Sequence, residues 1–181
     1  MGELITNLRG AFAERLAGLD WMDEATRAEA QAKLAAFDPR IGNPVRFIDY
    51  SSIRVAPDDL LGNVQRASEF AWNLQLSRLP HPVDRSLWTM TPQTINAYYN
   101  PLAKQITFPP AILQPLFFDP NADPAVNYGS IGAVIAHEMA HGSADQGRQF
   151  DASGRIRDWW TEVSAQRFTE RPTRLGAQYD G

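Results

Sequence analysis

Cysteine is absent from all 181 residues, which excludes disulfides and removes thiolates from the candidate metal ligands. Any zinc in this chain must be held by histidine and carboxylate. Histidine is scarce as well, with three in the whole chain, so a pair at regular spacing carries weight. No stretch approaches the ~20 apolar residues of a membrane span. The start, Met1-Gly2-Glu3-Leu4, lacks the basic-then-apolar signature of a secretory signal. Cationic residues are outnumbered, 17 Lys and Arg against 21 Asp and Glu, and no basic field or charged tail is left for nucleic acid. There is no internal repeat and no low-complexity segment. What is present is a 44% hydrophobic chain, enough to bury a core, read as a soluble globular protein.

Read in order, Leu4, Leu8, Phe12, Leu16 and Leu19 recur at three and four, which predicts an amphipathic helix. Asp23 is placed to cap a second helix over Glu24 to Ala36, ended by Asp38-Pro39, and the two make a helical hairpin. Ile41 to Pro44 reads as a turn and residues 45–55 as loop. Pro57-Asp58-Asp59 starts a third helix to about Arg78, with Leu61, Val64, Ala67, Ala71 and Leu74 as its inward stripe. His81 lies between prolines in a break and reads as a solvated loop residue. Thr94 to Tyr99 and Gln105 to Phe108 form a hairpin around Asn100 to Lys104. The expected class is mainly α with a small β-hairpin. A helical region 1–80 and a second region 81–181 are expected to form one compact domain.

The chemistry is concentrated in His137-Glu138-Met139-Ala140-His141. These residues lie on a helix expected to start near Ala125 to Tyr128, pass Gly129 and Gly132, and end near Gly142-Ser143. At ~100° per residue, two histidines four apart lie ~40° apart around the axis and one turn apart along it, so both imidazoles reach one metal. This is a zinc clamp, and Glu138 beside it is placed to take a proton from an attacking water, the arrangement of a metallopeptidase. The hairpin just upstream offers a strand edge to an extended peptide, with the Asn96 side-chain amide available to its backbone. A last helix is expected from Trp159 to about Glu170, closed by Arg171-Pro172.

Asn96-Ala97-Tyr98-Tyr99, Phe108 to Pro115, Asn127 to Gly132, His137 to His141 and Asp158-Trp159-Trp160-Thr161 together resemble the neprilysin and endothelin-converting-enzyme family of zinc endopeptidases. Order and spacing match throughout, and the lack of cysteine is similar to the bacterial branch. The resemblance implies a zincin-type catalytic lobe in which His137 and His141 ligate zinc and Glu138 is general base and then proton donor. It also implies that Asn96 and Ala97 hold the backbone of a short peptide, cut on the amino side of a large hydrophobic residue. A bacterial cytoplasmic or periplasmic location goes with it.

The sequence departs from the family at two places. The family's third zinc ligand, a glutamate in a downstream Glu-Asn-x-x-Asp motif, has no counterpart before Gly181. After the second histidine, where the family reads His-Gly-Phe-Asp-Asp, this chain has His141-Gly142-Ser143-Ala144-Asp145. Glu162, about twenty residues beyond His141, lies where other His-Glu-x-x-His peptidases place a glutamate, but the family comparison favours a solvent-facing helix residue there. The family enzymes are several times longer, with a second helical lobe, so the expectation is a truncated catalytic lobe. Its alternative is a non-catalytic peptide-binding or self-associating fragment with an incomplete metal site.

Overall fold

The computed structural model describes residues 1–180. The chain divides into two compact units, one formed by Met1–Asn43 with the residues from Met90 onward, the other by Pro44–Thr89. The two N-terminal helices therefore belong with the second half of the chain, and the third helix lies in the inserted unit.

In the first unit, α1 (Gly2–Ala17) and α2 (Glu24–Ala35) pack on one another. The Asp23 carboxylate caps α2 by accepting from the Thr26 amide at 2.9 Å. Long polar side chains close the hairpin where backbone groups need partners: Gln31 donates to the Ala13 carbonyl, and Arg27 to the carbonyls of Leu19 and Met22. Leu4, Ile5 and Leu16 of α1 are buried, while Leu8, Phe12 and Leu19 pack half-buried against the core.

The hairpin expected from the sequence is part of a larger sheet. Strands β1 (Asp38–Ile41), β2 (Tyr98–Asn100) and β3 (Gln105–Phe108) lie in the order β1-β3-β2, with β1 parallel and β2 antiparallel to β3. β1 escapes sequence reading because it is four residues long and contains Pro39, which a sheet tolerates only at an edge. Its flanking amides are paired, Asp38 N to the Lys104 carbonyl and Gly42 N to the Phe108 carbonyl, both at 2.9 Å. All four residues of the central β3 are buried.

The helix carrying the histidine pair is two helices. α4 (Pro124–Gly129) and α5 (Ile131–His141) break at Ser130, whose φ and ψ are −99° and −92°. The break is held by the Phe117 carbonyl, which accepts from the Ser130 hydroxyl at 2.7 Å and the Ile131 amide at 3.0 Å. A hydroxyl that competes for backbone partners, beside Gly129, is the local cause.

The final helix, α6 (Glu162–Tyr179), begins after the buried Trp159-Trp160 pair, with Thr161 as its cap, and runs through Pro172. The expected stop at Pro172 is not observed. Proline removes one donor and crowds the Phe168 carbonyl, but it does so in a stretch, residues 169–180, that is exposed throughout.

In the unit Pro44–Thr89, α3 (Leu60–Arg78) is capped by Asp59, which accepts from the Gly62 amide at 2.9 Å. Its expected inward stripe is not buried: Leu61 is 71% and Val64 54% exposed, Ala67 and Ala71 are exposed, and Leu74 is half-buried. The 45–55 segment is without strand, as expected, and the Tyr50 ring lies 5.4 Å from that of Phe70.

Candidate metal centre

α5 buries Ile131, Ile135 and Met139, spaced by four, against the core. At ~100° per residue His137 and His141 then lie ~160° and ~120° around the axis from the centre of that stripe, and both are exposed. Their rings meet edge to face, with centroids 4.4 Å apart. Glu138, adjacent to Met139, is turned toward the core and only 5% exposed. Ligand-capable atoms of His137, Glu138 and His141 all lie within 4.8 Å of one another. Zinc takes imidazole and carboxylate donors at ~2 Å, so two neighbouring imidazoles on one open face fit that ion. Burial pushes the Glu138 carboxyl above its ordinary range, opposed by the two histidines.

A cavity of about 440 Å³ opens over this trio. Its other walls come from the sheet and from the segment after α5: Asn96, Ala97 and Tyr99 on one side, Gln146, Gly147 and Phe150 on the other. β2, an outer strand of the sheet, packs on α5, which brings Asn96 and Ala97 to the same cavity as the histidines. The Asn96 side-chain oxygen accepts from the Ala97 amide at 2.9 Å, so its Nδ2 is the end left to face a ligand.

Of the other residues considered from sequence, Glu162 is exposed at the first turn of α6, and His81 is exposed in the Pro44–Thr89 unit. Among the described residues, His137, Glu138 and His141 are the one group of histidines and carboxylates close enough to hold an ion. Sequence reading missed Tyr99, Gln146, Gly147 and Phe150 as cavity walls. The last three lie in turn-like sequence just after the second histidine, and only that proximity marks them.

Two family models, both described as peptidase family M13, match residues 1–44 and 96–181. The chain belongs to peptidase family M13. Neprilysin-3 of Drosophila melanogaster is 37% identical over 186 residues, covering 99% of this chain and 24% of that protein. Human endothelin-converting enzyme 1 is 36% identical over 184 residues, covering 98% and 24%. Among solved structures, the inhibitor complex of the zinc metalloprotease Zmp1 of Mycobacterium tuberculosis superposes with a TM-score of 0.92 at 49% identity, covering 98% of this chain and 27% of that one. PepO from Lactobacillus rhamnosis gives a TM-score of 0.88 at 31% identity, covering 98% and 28%. This M13 chain thus spans about a quarter of the length of the curated relatives it matches. Its resemblance to the neprilysin and endothelin-converting-enzyme proteins holds, as does the mainly helical class with a small sheet. Among the described residues of the M13 chain, no helix is long and apolar enough to cross a membrane.

Proposed function

We propose that this chain carries the zinc-dependent peptide-hydrolysing centre of an M13 metalloendopeptidase acting on short peptides. The observation that carries this reading is the convergence of His137, Glu138 and His141 with Asn96 and Ala97 on one cavity. His137 and His141 hold the ion, and zinc bound there supplies Lewis acidity toward water and the scissile carbonyl. The outer edge of β2 aligns an extended peptide. Asn96 donates from Nδ2 to a substrate carbonyl, and the main chain at Ala97 keeps the peptide in register. Glu138 removes a proton from the attacking water as its oxygen bonds to the carbonyl carbon. The same carboxyl then delivers that proton to the nitrogen as the C–N bond breaks.

Glu138, 5% exposed and with a carboxylate oxygen within 4.8 Å of both imidazoles' ligand atoms, is one carboxyl placed for both halves of this cycle. The test is turnover of a quenched peptide with a hydrophobic residue after the scissile bond. Glu138→Gln should lower it ~10²-fold or more while zinc still binds; equal turnover in the two proteins removes Glu138 from the chemistry.

One observation favours a second reading. A catalytic zinc takes three protein ligands, and among the described residues only two histidines beside the proposed base are in place. On that reading the chain is a peptide-binding or self-associating module with an incomplete metal site. It predicts peptide binding without turnover in the same assay.

A further inference from the structure

Lys33 of α2 is fully buried, 0% exposed. Its ammonium donates to the carbonyls of Gly147 at 2.6 Å and Phe150 at 2.5 Å, and sits 5.5 Å from the centre of the Trp159 ring. Among the described residues no carboxylate lies within ion-pair distance of it; the Asp151 charge favours the ammonium and the Lys104 charge opposes it, and its direct partners are two backbone carbonyls and a ring face. Burial of that kind is costly, and core packing alone is better served by an apolar side chain.

The carbonyls it holds lead to the metal-binding helix. Gly147 also accepts, at the same carbonyl, from Trp159 Nε1 and from the Phe150 amide, both at 3.1 Å. Its α-carbon is pressed onto the last peptide of α5: a Cβ at Gly147 would lie 2.2 Å from the His141 carbonyl oxygen and 2.5 Å from the Gly142 carbonyl carbon. Gly147 and Phe150 also line the cavity beside His141. Lys33, Trp159 and the Phe150 amide thus converge on one carbonyl, and the residue bearing it buttresses the backbone of His141.

We infer that Lys33 is a positioning residue for the metal centre: through the Gly147 and Phe150 carbonyls it locks the segment after α5 against His141 and so sets the orientation of that imidazole. Trp159 acts with it on the same carbonyl. The inference rests on the metal-site reading given above. Groups that orient a ligand without touching the ion commonly alter affinity 10–100-fold when removed.

The test measures zinc affinity by chelator competition on the full chain, for the parent, Lys33→Met, Lys33→Arg, Trp159→Phe and a core control, Leu16→Ala. Each is kept at a temperature where circular dichroism shows it folded. Lys33→Met should bind zinc roughly tenfold more weakly. Lys33→Arg, which keeps donors and charge, should recover most of that loss, and Trp159→Phe should weaken binding in the same direction. Amide hydrogen exchange at residues 142–150 should speed up in Lys33→Met and not in Leu16→Ala. Should Lys33→Met fail to fold, Trp159→Phe decides alone. Zinc affinity unchanged in Lys33→Met, or lowered no more than in Leu16→Ala, overturns the inference while leaving the metal site intact. A parent that binds no zinc overturns the metal site itself, and in that case unchanged exchange at 142–150 in Lys33→Met overturns the positioning role as well.

Discussion

The Thr161 hydroxyl donates to an oxygen of Asp23 at 2.5 Å, joining the cap residues of two helices 138 positions apart in sequence. Each also serves its own helix: Asp23 accepts from the Thr26 amide, and Thr161 from the Ser164 amide. The exchange is reciprocal, since the Thr161 amide donates to the Thr26 hydroxyl and the Asp23 amide to the Ser164 hydroxyl. α2 and α6 therefore start from one shared cluster of polar groups.

This cluster fixes an acid dependence. The Thr161 hydroxyl, followed by the Thr26 amide, holds the Asp23 carboxyl down from 3.8 to about 2. A carboxyl depressed in the folded state contributes stability that is complete above its unfolded value and is lost as pH falls through the folded one. Urea unfolding followed from pH 5 to pH 2 should show a loss of stability below pH ~4 in the parent that is reduced in Asp23→Asn. At pH 7, Asp23→Ala should cost about 1 to 2 kcal/mol, the value of a helix cap.

Two positions with left-handed backbone should respond in opposite directions. Leu116 has φ +77° and is 93% exposed, so its side chain adds strain and little burial. Leu116→Gly should stabilise by about 0.5 kcal/mol, relief of strain outweighing the added freedom of the unfolded chain. Gly154 has φ +84°, and a Cβ there would lie 2.3 Å from the Leu102 carbonyl oxygen. Gly154→Ala should destabilise by about 2 kcal/mol or more, combining backbone strain with a clash. Thermal unfolding of the two variants, read beside the parent, checks both signs.

Pro172 sits in the eleventh residue of α6 without ending it. Replacing it with alanine restores one backbone donor and removes a clash worth up to about 3 kcal/mol in a helix interior. Amide exchange around residues 168–176 should slow in Pro172→Ala, with zinc binding unchanged. Unaltered exchange there would show that the turn is not limited by the proline.

Much of this was legible in the sequence where a local rule had no competitor. The apolar spacing of α1, the Asp23 cap and the hairpin strands were all of that kind. Other features depended on distant partners. β1 contains a proline and exists because β3 pairs with it, and the break at Ser130 is held by the Phe117 carbonyl, 13 positions earlier. α3 shows the converse: its apolar spacing is helical, but no residue on it is buried, since periodicity reports a face and not what covers it. At the candidate site the histidines and Glu138 were readable from their spacing. Lys33 and Gly147 were not, because a buried lysine and a turn glycine look ordinary until the fold brings them together.

The proposed zinc centre of His137 and His141, with Glu138 beside them, is open to direct measurement. The most direct measurement is zinc stoichiometry by chelator competition on the purified chain, beside His137→Ala, His141→Ala and Glu138→Gln. One zinc per chain is expected, readily exchanged given two imidazole ligands, lost in each histidine variant and retained in Glu138→Gln. Zinc bound equally well by His141→Ala, or none bound by the parent, would contradict it.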